Sequence, residues 1–340
     1  MDQVSVVGLD LAKSVFQVHG VNAQGEVVLR RRLTRGQLLK LFEKLPSCLI
    51  GMEACASAHH WARELAALGH EVKLMPAQYV KPYVKRGKND AADAEAICEA
   101  VTRPTMRFVG VKSPDQQATM MLHRVRKILT RQRTQISNAL RAHMAEFGIA
   151  AAVGRGGLDR LIAVIADRDD ARLPDEARAC LAVLCTQLEM VKDQILDNDR
   201  RILADARKTE AGRRLMKIPG IGPLLASAIV ACVPDPATFS NGRSLSAWIG
   251  LTPRQNSSGG KERLGSITKA GNTYLRELLV VGAMAVVRRA MQGSAKRPWM
   301  TQLLARKKPK VAAVALANKN ARIIWAMMAT GEPYRELAAA

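Results

Sequence analysis

The chain has 340 residues, 48% of them apolar, with 52 Lys and Arg against 30 Asp and Glu for a net charge of +22. That length exceeds one usual domain and that apolar content excludes a disordered basic tail, leaving a folded polyanion binder of two or three domains. Six scattered cysteines, with no CxxC pair and no nearby histidine at ligand spacing, indicate neither a zinc site nor a disulfide scaffold and fit a reducing cytoplasm.

In chain order, short apolar runs at residues 4–9, 15–21, 26–33, 48–52 and 71–75 read as five strands, with a helix over 58–68 before the last. Residues 1–112 are therefore expected to form a mixed α/β domain. At Ser113-Pro114 the pattern changes to a helix start, and Leu122, Val125, Leu129, Ile136, Leu140 and Met144 recur at helical spacing. A helix to residue 147 would span roughly 50 Å. The stretch 148–157, with Gly154, Gly156 and Gly157, reads as a linker, and 175–208 as a second long helix. Residues 113–208 are thus expected as an antiparallel hairpin projecting from the body, a coiled coil whose arginines suit a dimer seam, a nucleic-acid arm or both. Residues 209–340 are expected to be mainly helical: a Gly-rich turn at Pro219-Gly220-Ile221-Gly222 between two helices, helix from 237, a polar loop at 252–270, then helices at 272–291 and 310–328. Between Pro253 and Trp325 stand fifteen basic residues against Glu262 and Glu277 alone, making this third the expected phosphate-backbone surface. No stretch approaches the roughly 18 uninterrupted apolar residues of a membrane span, and a cytoplasmic, nucleoid-associated protein is expected.

Two groups of residues carry chemistry. Asp10 ends the first apolar strand in VVGLDLAK and Glu53 ends a later one in CLIGMEA, so pairing of those strands would bring the carboxyls to adjacent strand ends. Asp90 and Asp93 in KNDAADAEAI open a helix, three apart and so on one face. Four converging carboxylates repel unless a divalent cation neutralises them, and an all-oxygen set favours magnesium. Two ions roughly 3.5 to 4 Å apart would suit phosphoryl transfer. The plainer reading leaves each acid solvated at a strand end or helix start. The second group is GLTPRQNSSGGKERLGSITKAGNTYLR, where Ser257 and Ser258 stand among Arg254, Lys261, Arg263 and Lys269 with no histidine base nearby. Such a serine could attack a phosphodiester with metal or arginine help, or the loop could simply grip DNA backbone. Asn272 opens a helix whose free N–H groups could hold a phosphate, with Arg276 one turn on. His59 and His60 diverge by about 100° on a helix and read as structural.

GLDLAK, GMEA, KNDAADA, IPGIGPLLA and the serine segment, in that order across essentially the whole chain, resemble the insertion-sequence-110 transposases and within them the 1111 subgroup. The resemblance implies an N-terminal ribonuclease-H-like domain of the RuvC type, a coiled-coil hairpin and a mainly α-helical C-terminal transposase domain with a helix-hairpin-helix-like turn. It implies an acidic tetrad of Asp10, Glu53, Asp90 and Asp93 holding Mg²⁺, and Ser258 as nucleophile, with Ser257 its open alternative. It also implies a phosphoserine link to DNA, a site shared between subunits, a tetramer built as a dimer of dimers, and a structured non-coding bridge RNA that pairs with target and donor DNA. Two enzyme rivals remain at this stage: a metal-dependent, structure-selective nuclease that uses water, its serine loop only binding DNA, and an actin-like ATPase, for which Leu11-Ala12-Lys13-Ser14 is a poor phosphate loop. A non-catalytic nucleic-acid binder is the third.

Overall fold

A computed structural model describes residues 3–85, 89–293 and 298–335. The chain divides into two compact units, Met1–Gln116 with Val233–Ser240, and Gln117–Cys232 with Asn241–Ala340.

The first unit is built on five strands: β1 (Val6–Leu11), β2 (Val15–Val21), β3 (Val27–Thr34), β4 (Leu49–Glu53) and β5 (Glu71–Met75). Their order across the sheet is β3-β2-β1-β4-β5. The first three form an antiparallel meander, while β4 runs parallel to β1 and β5 parallel to β4. Both faces are covered, which is why β1 and β4 read as near-continuous apolar runs. On one face Val7, Leu9, Phe16 and Ile50 pack against α1 (Leu38–Phe42) and α2 (Ala58–Ala67), with Trp61 edge-on to Phe16. On the other, Met75 packs with α3 (Ala77–Val80) and α4 (Asp90–Val101), burying Val80, Ala96, Ile97, Ala100 and Val101. His59 accepts a hydrogen bond from the Lys112 amide at 3.2 Å, a structural role.

In the second unit, α5 (Pro114–Glu146) and α7 (Asp175–Lys208) match the two expected long helices to within a residue or two. They run antiparallel: Thr119 donates to Asp205 at 3.0 Å and Arg126 pairs with Asp199 one to two turns on. The expected linker at 148–157 is shorter than its glycines suggested, because α6 (Arg155–Ala166) begins within it. Leu158, Leu161 and Ile165 of α6 bury against Leu140, Met144, Leu181 and Leu188, so the helix has an apolar face to dock. Arg178 of α7 caps its end, donating to the carbonyls of Val164 at 2.8 Å, Ile165 at 3.0 Å and Asp170 at 2.7 Å.

The remainder comprises α8 (Glu210–Leu215), α9 (Pro223–Cys232), α10 (Gly242–Ile249), a hairpin of β6 (Pro253–Gln255) and β7 (Leu264–Ile267), α11 (Thr273–Met291), α12 (Pro298–Arg306) and α13 (Pro309–Thr330). Helix α9 is apolar on all sides and buried. The Pro219–Gly222 turn is packed inward: a Cβ on Gly282 of α11 would stand 2.0 Å from the Gly220 carbonyl, and Asn320 of α13 donates to the Pro219 carbonyl at 3.0 Å. The helix expected from residue 237 begins only at Gly242, after a short 3₁₀ turn at Pro236–Thr238. No helix among the described residues is long and apolar enough to cross a membrane.

Candidate active site

The strand register places the first acids. Gly8 pairs with Gly51 and Leu9 with Met52 between β1 and β4, so Asp10 and Glu53 each stand one residue beyond the last pair. Side chains alternate along a strand, which puts Asp10 on the face of Gly8, and Glu53 on the face of Gly51. Those two glycines form a floor for α4. A Cβ at Gly8 would lie 2.1 Å from the Ala94 carbonyl and 2.4 Å from the Cys98 nitrogen, and one at Gly51 would lie 2.8 Å from the Val101 Cβ. No side chain fits under the helix at either position. The start of α4 is thereby pressed toward the ends of β1 and β4. Asn89 fixes that start, its side chain accepting from the Ala91 amide at 3.0 Å. Asp90 and Asp93 then fall in the first turn, on the strand-end side.

The structure brings carboxylate oxygens of Asp10, Asp90 and Asp93 within 4.8 Å of one another, although some eighty residues of chain separate the strand acid from the helix pair. Glu53 is outside that closest group but within its field. Burial raises the Glu53 carboxyl above its usual pKa, Asp10 and Asp93 raise it further, and Lys81 opposes them. Burial likewise raises Asp10, followed by repulsion from Asp93 and Asp90, against a backbone hydrogen bond from Leu11. Half-buried acids that resist ionisation beside one another are the electrostatic condition a divalent cation relieves, and every offered donor is a hard oxygen. The residues fit such an ion. Of the KNDAADA segment, Lys88 lies outside the described residues.

The serine segment, expected as part of a polar loop, is instead strand-paired. It is a hairpin whose tip, Ser258-Gly259-Gly260-Lys261, closes with the Lys261 amide donating to the Ser258 carbonyl at 3.1 Å. Gly259 and Gly260 have φ of 56° and 76°, the left-handed pair a two-residue primed turn requires. Reading the run as a polar loop overlooked that Gly-Gly is itself a hairpin signal. The Ser257 hydroxyl accepts from the Arg263 amide at 3.1 Å, whereas among the described residues the Ser258 hydroxyl has no hydrogen-bond partner. Arg254, Lys261, Arg263 and Lys269 are all exposed around it. Asn272 and Arg276, read from sequence as phosphate ligands, have intramolecular partners. Asn272 caps α11 by accepting from the Leu275 amide at 3.1 Å, and Arg276 donates to the carbonyls of Ile249 at 2.6 Å and Ala270 at 2.8 Å, closing the hairpin base.

A buried network missed from sequence anchors α11. The Ser227 hydroxyl donates to Asp205 at 2.6 Å, leaving its oxygen to accept from His123 Nε2 at 3.0 Å. His123 Nδ1 then accepts from the Tyr274 hydroxyl, also at 3.0 Å. This proton order requires neutral His123. The imidazole is 1% exposed, and burial pushes its pKa down to about 4 against the pull of Asp205. Four elements, α5, α7, α9 and α11, are joined by one chain of donors. The residues come from four separate segments, so no local spacing announced them.

Comparison with known proteins places these features in a common setting. Residues 212–300 match the model described as transposase, IS116/IS110/IS902 family, and residues 7–149 match a second transposase model, the DEDD type of IS110. The chain is 48% identical over 338 residues to a putative transposase of Sinorhizobium fredii, covering 99% of this chain and 87% of that one. It is 49% identical to a probable family 20 transposase of Pseudomonas aeruginosa, covering 98% and 99% of the two chains. The transposase for insertion sequence element IS1111A of Coxiella burnetii is 39% identical, with 98% and 92% covered.

Proposed function

This chain belongs to the IS116/IS110/IS902 family of insertion-sequence transposases, DNA-recombining enzymes, and we propose that it cuts and rejoins DNA through its acidic centre and Ser258. The observation that carries this reading is the meeting of Asp10, Asp90 and Asp93 oxygens within 4.8 Å. Asp10, Glu53, Asp90 and Asp93 would hold Mg²⁺, with two ions at the site. When bound, the ions supply charge neutralisation and Lewis-acid polarisation of a phosphodiester. The mixed sheet, with acids at the carboxyl ends of two adjacent parallel strands, supports a ribonuclease-H-like domain of the RuvC type over 1–112, followed by the long helices of 113–208 as a coiled coil and the transposase domain of 209–340.

Ser258 is the nucleophile. Its hydroxyl gives up its proton as the oxygen bonds to phosphorus and the P–O bond of the cut strand breaks, the leaving oxygen gains a proton in exchange, and the phosphoserine ester conserves the bond energy for rejoining. Its hydroxyl is unengaged while that of Ser257 is held by Arg263, which favours Ser258 of the two. Arg254, Lys261, Arg263 and Lys269 neutralise the phosphates beside it. The family resemblance further supports a shared site between subunits, a dimer of dimers, and pairing of element-end and target DNA with a bridge RNA in the cytoplasm. Cleavage of labelled element-end DNA tests the acidic centre. Asp10→Asn and Asp93→Asn should each lose about three orders of magnitude in divalent-dependent cleavage while retaining DNA binding. Full cleavage by either variant would remove the centre from the chemistry.

A further inference from the structure

Among the described residues, the acidic centre is covered on one flank and exposed on the other. On the side of Glu53 the neighbouring strand places Met75 in register, and Met75 is 0% exposed beneath α3 and α4. On the side of Asp10, exposure rises along the row, from half-buried Gln17 to exposed Arg32. Asp10 pairs with Gln17 of β2, and Gln17 pairs with Arg32 of β3. Residues paired across strands share a face, so Glu53, Asp10, Gln17 and Arg32 form one row across four strands. With strands about 4.8 Å apart, the Arg32 Cα lies roughly 10 Å from that of Asp10.

The face assignment has an independent check. Two residues earlier on β3, Arg30 pairs with His19, and both lie in the field of Glu95 on α4, the helix that carries Asp90 and Asp93. Arg32 therefore projects on the α4 side, and Arg31 on the opposite side. Gln17 is half-buried and Arg32 exposed, and among the described residues neither side chain has a hydrogen-bond or ion-pair partner. An amide that both donates and accepts, followed by a guanidinium suited to bidentate phosphate contact, is a backbone-reading pair.

Resting on the acidic centre as the cleavage site, we infer that Gln17 and Arg32 form a lane for a single nucleic-acid strand leaving that centre across β1, β2 and β3. Arg32 takes a phosphate neighbouring the one over the acids, and Gln17 bridges the step between them. The strand leaves on this side because the other is covered. The phosphate surface is then not confined to the C-terminal third, where the basic residues are densest.

The test uses the full-length chain, a fluorescein-labelled single-stranded DNA oligonucleotide and EDTA, with anisotropy titrations over a range of KCl. Arg32→Ala should weaken binding and make the dependence of log K on log salt shallower by about 0.7, the loss of one single-strand phosphate contact. Arg31→Ala removes the same charge from the opposite face of the same strand and should leave the slope unchanged. Gln17→Ala should raise Kd several-fold at unchanged slope, and Asp10→Asn should lower Kd by relieving repulsion of the passing strand. Equal behaviour of the Arg31 and Arg32 variants, or an Asp10→Asn variant with wild-type Kd, would overturn the lane. With no divalent ion present and no cleavage read, this result stands apart from the cleavage test of the acidic centre.

Discussion

Asp10 is held on a central strand directly after three buried residues, under a helix seated so closely that two glycines leave no room for a Cβ. Ser258 stands at the tip of a two-stranded hairpin in which every residue from 253 to 266 is exposed, Leu264 at 66%. One half of the proposed chemistry is fixed by a packed layer within its own unit. The other is carried on an element of a kind that is marginal alone, held at its base by Arg276, which donates to the Ile249 and Ala270 carbonyls, and by Asn318, which donates to the Leu251 carbonyl. The acids must converge against mutual repulsion, and only a rigid scaffold holds them there. In the proposed mechanism the serine has to meet DNA and change strands, and an exposed arm suits that task.

The contrast should break first at the glycine floor. Gly8→Val forces a side chain into the Ala94 carbonyl, and overpacking of that kind costs about 3 kcal/mol or more. Thermal unfolding should show a large fall in Tm, accompanied by loss of divalent-ion binding as Asp90 and Asp93 are displaced. Gly36→Ala, where a Cβ meets nothing within 4 Å, should leave both unchanged. A Gly8→Val protein with wild-type Tm and metal affinity would mean that α4 is not seated on β1.

The network behind the hairpin provides the next test, through pH. His123 titrates at about 4 in the folded chain against 6.5 ordinarily, so the native state binds fewer protons than the unfolded one between those values. Stability is therefore fully present above about pH 6.5 and lost as pH falls toward 4, by an amount on the order of 3 kcal/mol. Denaturant unfolding at stepped pH measures it, and His123→Gln, which keeps one donor and one acceptor, should flatten this part of the profile. An unchanged profile in that variant would place the titration elsewhere. The smallest effect is at Ser257. Removing its hydroxyl frees one exposed amide, so Ser257→Ala should change stability by about 1 kcal/mol or less and leave cleavage largely intact.

What the sequence disclosed follows from how far each signal reaches. Periodicity placed all five strands within a few residues and the second long helix at its observed ends, because alternation and helical spacing are local. The acids were visible as odd polar residues at the ends of apolar runs, and the structure adds what brings them together. That device was written in the chain: Gly8 stands two residues before Asp10 and Gly51 two before Glu53, so each floor glycine shares a face with its acid. The spacing gains meaning only once β1 and β4 are known to be neighbours. The Ser227, His123 and Tyr274 network was illegible for the same reason, its members meeting across more than a hundred residues. The serine hairpin was hidden differently, by a polar, cationic composition that resembles a loop. Gln17 and Arg32 were passed over because the charge count drew attention to the C-terminal third.

The most direct test of a serine working with the acidic centre is to look for the covalent bond. The chain would be incubated with Mg²⁺, co-purified RNA and labelled element-end and target DNA, then denatured, and any protein-DNA adduct digested and mapped by mass spectrometry. The account predicts a phosphodiester remnant on Ser258, absent in Ser258→Ala and in Asp10→Asn and retained in Ser257→Ala. Cleaved DNA with free ends and no adduct, still produced by Ser258→Ala, would contradict it and mean that water is the nucleophile.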